Sequence, residues 1–312
     1  MKIFDTVATR DSLPFDKLLV ALREMFIEGC TVPARHVHSI GPSEEPHGSV
    51  LIMPAWCTGK FLGIKTVNVF PRNINRNLPG LFSTYTLYDA TTGEPLAQID
   101  GNEITSRRTA AASALAASYL APHQASKLLV IGAGRVGRLL PLAYKAVLPI
   151  EDVWIWDQVG AQTTKAVEEL RTFGIRAHAV SDLRDAASNA DIVCCATLAS
   201  EPVLSGAWLK HSSHLDLIGS FTPQMREADD ACFLEAQIYV DTEEALQKSG
   251  DLIGPISRGV FVPADIRGTL ASLCTESTSG RTRPSGRTVF KSVGTALEDL
   301  AAAILVYETQ SK

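Results

Sequence analysis

The stretch Leu128-Leu129-Val130-Ile131-Gly132-Ala133-Gly134-Arg135-Val136-Gly137 decides the fold. Four apolar residues without polar alternation read as a strand buried on both faces. The G-x-G-x-x-G that follows opens a helix, the setting a dinucleotide fingerprint requires. Gly132 permits the tight turn. Gly134 lets backbone N–H groups at the start of the helix, in the loop carrying Arg135 and Val136, approach a pyrophosphate, and Gly137 lets that helix pack closely on the strand. Asp157 ends the next apolar run, VWIWD, where a carboxylate can accept from adenosine ribose hydroxyls. It also repels a 2′-phosphate, and neither Gln158 nor Val159 offers a cation to neutralise one. NAD is therefore the expected cofactor, with NADP kept as the alternative.

Downstream the pattern alternates strictly. RVGRLLPLAYKAV, AQTTKAVEELRTF and DLRDAASNA read as helices between the strands VWIWD, AHAV and DIVCCAT. Such alternation implies a doubly wound parallel sheet with right-handed crossovers, a Rossmann-type α/β fold. HLDLIGS, AQIYVD and Thr288–Lys291 extend it. Thr197 and Gly219 close two of these strands at their carboxyl ends, where open α/β sheets take ligands. The polar TESTSGRTRPSG, residues 275–286, reads as a mobile surface loop, and MREADD, residues 225–230, as a helix start or surface turn.

Upstream, LPFDKLLVALREMFIE is an amphipathic helix stopped by Gly29. Short β-rich runs follow, SVLIMPAW, FLGIKTVNVF, STYTLYDA and PLAQID, then an alanine-rich helix from about Thr105 to Leu120 that Pro122 ends. The chain thus carries a second, α+β domain over residues 1–120, a dinucleotide-binding domain over 121–293, and an apolar helix within 294–312.

The 312 residues suffice for two domains of roughly 150 residues each, and 46% hydrophobic with 20% charged is ordinary globular composition. With 29 Lys and Arg against 34 Asp and Glu, the net charge of −5 provides no field for a polyanion, so no nucleic-acid partner is expected. The N-terminus lacks an apolar leader and no run is long enough to span a bilayer, which points to a cytoplasmic protein without a membrane partner. Six scattered cysteines without a CxxC read as reduced and mostly buried, and no His or Cys cluster has metal-ligand spacing.

Three cations in apolar or turn-like surroundings are left to orient a substrate: Arg35 after VPA, Lys65 within FLGIKTVNVF, and Arg108 in the alanine-rich helix. The strings MPAW, GIKTVNVFPRN, TGEPLAQIDG, SRRTAAASALAASYLA and FKSVGTALEDLAAA around the glycine motif resemble the ornithine cyclodeaminase/mu-crystallin family over nearly the whole chain. The resemblance implies a homodimer made by the N-terminal domain, to which the last helix returns, and an NAD(P)-binding Rossmann domain. It implies that Arg35, Lys65 and Arg108 bind the carboxylate of an imino or amino acid, that Thr84 lines the same pocket, and that Gly294 lies near the nicotinamide. Two guanidinium forks and an ammonium on one carboxylate would fix the α-carbon for hydride transfer.

The chain also departs from the family pattern. Cyclodeaminase members carry an acid before the MP pair and another after the strand matching HLDLIG; here Leu51 and Phe221 stand near those places. Cyclising ornithine needs a group for the distal amine and a general base, and neither residue can serve. The expectation is an oxidoreductase that reduces a cyclic ketimine carboxylate of the Δ1-pyrroline-2-carboxylate or Δ1-piperideine-2-carboxylate type, with Lys65 a possible proton donor. Ornithine cyclodeaminase and an alanine-type amino-acid dehydrogenase are the alternatives.

Overall fold

The computed structural model describes residues 1–42 and 47–310. In chain order it holds β1 (Lys2–Phe4), α1 (Thr6–Asp11), α2 (Phe15–Glu28), β2 (His36–Ile40), β3 (Gly48–Cys57), β4 (Phe61–Val69), β5 (Leu81–Asp89), β6 (Pro95–Asp100) and α3 (Gly101–Leu120). Then come β7 (Lys127–Ile131), α4 (Arg135–Lys145), β8 (Asp152–Trp156), α5 (Gly160–Thr172), β9 (Ala177–Ala179), α6 (Leu183–Asn189), β10 (Ile192–Cys195) and β11 (His214–Leu217). The remainder is β12 (Gln237–Val240), α7 (Ala245–Lys248), α8 (Gly250–Ser257), β13 (Ile266–Thr269), α9 (Leu270–Cys274), β14 (Thr288–Lys291) and α10 (Ala296–Thr309). Among the described residues no helix is long and apolar enough to cross a membrane.

The chain divides into two units, Met1–Thr109 with Thr295–Lys312, and Ala110–Gly294. The division falls inside α3, eleven residues before the boundary read from the sequence. The cause is at the helix end: the Leu120 carbonyl accepts from Arg281 Nε (2.8 Å) and Thr288 Oγ1 (2.9 Å), so the last turns of α3 belong to the second unit.

The first unit is a six-stranded sheet in the order β1-β6-β5-β4-β3-β2, antiparallel except for β1 beside β6. Helix α10 packs on β3, β4, β5 and α2. The i, i+3, i+4 spacing of Leu18, Leu22, Met25 and Phe26 gives α2 one buried face, and Gly29, at φ 76°, ends the helix in a conformation that favours glycine.

The second unit is an eight-stranded, wholly parallel sheet in the order β13-β12-β14-β11-β10-β7-β8-β9. From β7 the chain steps outward through β8 and β9, then returns to β10 on the other side, so the topological switch point lies between β7 and β10. Residues 275–286 are pinned, against the mobile loop expected from their composition. Arg281 donates to the carbonyls of Leu120, Ser213 and Gly286, Thr282 bonds Gln237, and the Tyr239 hydroxyl holds the carbonyls of Ser279 and Gly280. These polar side chains satisfy backbone carbonyls rather than water.

In the middle of β11, Asp216 is fully buried and accepts from the Tyr144 hydroxyl of α4 at 2.8 Å. Burial lifts its carboxyl from 3.8 to about 6. A folded-state value above the unfolded one means the ionised group costs stability above pH ~6, about 3 kcal/mol at neutral pH, and the cost fades as pH falls towards the unfolded value. Asp216→Asn keeps an acceptor for Tyr144. It is expected to raise Tm by several degrees at pH 7.5 and by much less at pH 4.5; equal Tm at pH 7.5 in thermal unfolding would count against this account.

Candidate active site

The loop after β7 shows why each glycine stands where it does. Gly132 sits at φ 104°, and a Cβ there would lie 2.5 Å from the Ala196 carbonyl oxygen. A Cβ on Gly137 would meet the Gly132 carbonyl oxygen at 1.9 Å. These two positions are therefore closed to other residues by the protein's own packing. Gly134 is different: a Cβ there would meet nothing within 4 Å. Its backbone borders open space at the start of α4, where Arg135 is exposed and Val136 half-buried, and no side chain caps the helix. Uncapped N–H groups at a positive helix end, with clear space in front, fit a pyrophosphate.

Asp157 reinforces that loop. Its Oδ2 accepts from the Ala133 N–H and its Oδ1 from the Val159 N–H, both at 2.8 Å. Beside it opens a cavity of 370 Å³ lined by Trp156, Asp157, Gln158, Gly160, Thr163 and Val180 among others. An aromatic ring, a carboxylate and no Lys or Arg among the described lining residues suit an adenosine with free ribose hydroxyls better than one bearing a 2′-phosphate. Thr163 and Val180 were not read from the sequence, because only the fold brings the start of α5 and the end of β9 to Asp157.

The carboxyl ends of β10 and β11 are tied by a carboxylate that the sequence reading left on the surface. Glu227 is fully buried, so MREADD is not a surface turn: Oε1 accepts from the Thr197 N–H (2.7 Å) and hydroxyl (2.8 Å), and Oε2 from the Gly219 N–H (2.7 Å). Burial pushes its carboxyl up. A Cβ on Gly219 would strike the Thr197 carbonyl oxygen at 1.9 Å, which makes that glycine obligatory. After β14, the Gly294 N–H donates to Asp241 Oδ2 at 2.6 Å.

In the first unit, strand register decides which cations meet. Lys65 pairs with Met53 on one side and Tyr85 on the other, so the three share one face of the sheet. The β2–β3 register begins with His36 opposite Ile52, one residue after Arg35, and the Thr31–Trp56 bridge that precedes it is displaced by one residue, so strand pairing does not set the face on which Arg35 lies. Leu51 pairs with Val67 in the next row of the Lys65 face. Thr84 pairs with Thr66 and so lies on the opposite face, exposed, and the register does not bring it to Lys65.

Helices α3 and α10 complete the cluster. One oxygen of Asp299 lies 2.6 Å from Lys65 Nζ, and the other accepts from Arg108 Nε at 2.9 Å. Glu298 takes Arg108 Nη1 at 2.5 Å. All four side chains are buried. Burial works against charge on Arg108, but Asp299 and Glu298 raise its pKa. Burial pushes Lys65 down, opposed by Asp299 and aided by Arg108. Burial alone would push Asp299 up, yet Lys65 and Arg108 hold it below the usual carboxylate range. Arg107, the other half of the RR pair, instead stacks on Phe15 at 4.9 Å and reaches Glu103. Arg35 is half-buried, with no hydrogen bond or ion pair among the described residues. Also among the described residues, no group of three or more His, Cys, Asp or Glu side chains is placed to hold a metal ion.

Comparison with known proteins places this arrangement. An uncharacterised protein of Schizosaccharomyces pombe is 44% identical over 96% of this chain and 95% of its own length. The Delta(1)-pyrroline-2-carboxylate reductase of Colwellia psychrerythraea is 34% identical over 99% of both. Among solved structures, Thermococcus litoralis Delta(1)-pyrroline-2-carboxylate reductase in complex with NADH and L-proline superposes with a TM-score of 0.93 at 31% identity, covering 100% of this chain and 98% of that one. The ornithine cyclodeaminase/mu-crystallin family profile matches residues 16–312. The glycine cradle, the buried cation cluster and this match over nearly the whole length agree: the chain belongs to the ornithine cyclodeaminase/mu-crystallin family.

Proposed function

We propose that the protein is an NAD(H)-dependent reductase of a cyclic ketimine carboxylate, of the Δ1-pyrroline-2-carboxylate or Δ1-piperideine-2-carboxylate type. The observation that carries this reading is the set of cations on the Lys65 face. Lys65 and Arg108 balance two carboxylates, Asp299 and Glu298, and half-buried Arg35, ahead of β2, adds the positive charge for one substrate carboxylate. Leu51, on the same face, offers apolar surface to ring carbons and no acid for a distal amine.

The loop Gly132, Gly134, Arg135, Val136 and Gly137, with Asp157, Thr197, Gly219 and Gly294, holds the cofactor. Bound NADH supplies the hydride that adds to the C=N carbon. The protein's own residues bind and orient the imino acid: Arg108 and Arg35 hold its carboxylate, and Lys65 shares that contact and delivers a proton to the nitrogen. Of the cluster's cations only Lys65 suits that task, since burial pushes its pKa down whereas the carboxylates raise that of Arg108.

The test follows absorbance of NADH and NADPH with cyclic ketimine carboxylates and identifies the amino acid formed. Turnover is expected to favour NADH over NADPH. As pH rises, kcat/KM should fall, because the iminium loses its proton and Lys65 becomes neutral at lower pH than a free lysine. No oxidation of either cofactor with any cyclic ketimine carboxylate sinks the proposal.

A homodimer accompanies this reading. The sheet face opposite Lys65 leaves Ile40 and Phe82 exposed, apolar surface that a second copy would cover. Light scattering at micromolar concentration should return twice the chain mass; a monomer there counts against it.

A further inference from the structure

Lys291 ends β14 with a side chain fully buried and an ammonium without a hydrogen-bond partner among the described residues. A cation in such a place is expensive unless its charge organises something. Four buried carboxylates surround it: Asp216, already held by Tyr144, and Asp251, Glu227 and Asp241. Asp251 Oδ2 lies 3.8 Å from Lys291 Nζ, and Asp251 Oδ1 accepts from the N–H groups of Glu227 (2.9 Å) and Ala228 (3.1 Å). Glu227 in turn holds Thr197 and Gly219 through three bonds. Asp241, whose N–H donates to the Lys291 carbonyl at 3.1 Å, accepts through Oδ2 from the N–H groups of Val293 (2.7 Å) and Gly294 (2.6 Å). The Lys291 charge also draws the carboxyls of Glu227 and Asp241 down against the rise that burial causes.

Thus the loops after β10, β11 and β14 hang from two carboxylates, and a third carboxylate beside Lys291 holds the backbone of the first. We infer that Lys291 is a positioning residue: its ammonium keeps Glu227, Asp241 and Asp251 together in the dry interior, and through them fixes the three loops in the form that receives the nicotinamide end of NAD(H). The inference rests on the reading that Thr197, Gly219 and Gly294 border the cofactor. Without the cation, mutual repulsion among the carboxylates favours protonation or a shift of one of them, and a protonated or displaced Glu227 no longer accepts from both Thr197 and Gly219.

The experiment titrates NADH into the full-length protein, followed by nicotinamide fluorescence, for the parent, Lys291→Met and Glu227→Gln. Both variants are expected to weaken NADH binding by at least about tenfold, the effect of losing one charge-assisted bond. KM for the imino acid at saturating NADH should stay within about twofold, since the Lys65 cluster is untouched. A purely structural role would lower Tm and the active fraction while leaving the NADH Kd alone, and that outcome overturns the inference. If Lys291→Met does not fold, Glu227→Gln, which exchanges one acceptor oxygen for a donor at nearly constant volume, decides by the same Kd. No NADH binding by the parent would overturn both this inference and the reading of the three loops.

Discussion

Arg108→Ala is expected to lower kcat/KM for the imino acid by about a thousandfold, the scale of removing one partner from a buried, hydrogen-bonded charge pair, while the NADH Kd stays within about twofold. The guanidinium bonds both Asp299 and Glu298, through Nε at 2.9 Å and Nη1 at 2.5 Å. Its loss removes the proposed substrate contact and also strips a buried partner from two carboxylates, so stability should fall as well, by about 3–5 kcal/mol. That second effect is invisible from the RTAA string, which on its own suggests a replacement that leaves the fold untouched. Arg108→Lys restores a charge but not the fork and should recover stability more than turnover. Folded Arg108→Ala protein with kcat/KM within tenfold of the parent would remove Arg108 from the substrate site.

The cofactor half was legible because its signals are local. Strand, glycine turn, helix and terminal Asp157 lie within thirty residues, and each glycine has a backbone reason that a single loop contains. The substrate half was legible only as cations. Asp299 is 191 positions from Arg108 and stands in a helix whose apolar composition suggested packing alone, yet adjacent Glu298 and Asp299 inside LEDLAAAILV were the available hint of buried partners. The parity that sends Thr84 away from Lys65 depends on the β4–β5 register, and the eleven residues between those strands hide it from a reading of alternation. Glu227 and Arg281 were missed for one common cause. Charged residues in Gly- or Ser-rich or acidic runs read as solvated, and only the tertiary structure shows that they pair with backbone groups of distant strand ends.

Ornithine supplied with NAD⁺ is expected to release no ammonia above background under conditions where a cyclic ketimine carboxylate is reduced by NADH. Ornithine carries a second ammonium, and a site that accepts it must pair that charge; left against Leu51, it would stay desolvated and unpaired, a discrimination of several orders of magnitude. The acids nearby in sequence are committed elsewhere. Asp216 lies in the middle of β11 with Tyr144 on its Oδ2, and Asp229 accepts from the Ser205 hydroxyl and the Gly206 N–H. Phe221, after Gly219, is 47% exposed and brings an aromatic ring where an acid would be needed. Leu51→Glu places a carboxylate in the row beside Lys65, and it should weaken ketimine reduction by adding a negative charge where the substrate carboxylate is proposed to bind. An ammonia assay with parent protein decides the main point. Sustained release from ornithine would mean that a carboxylate other than these reaches the distal amine, and that the apolar character of Leu51 does not select the substrate.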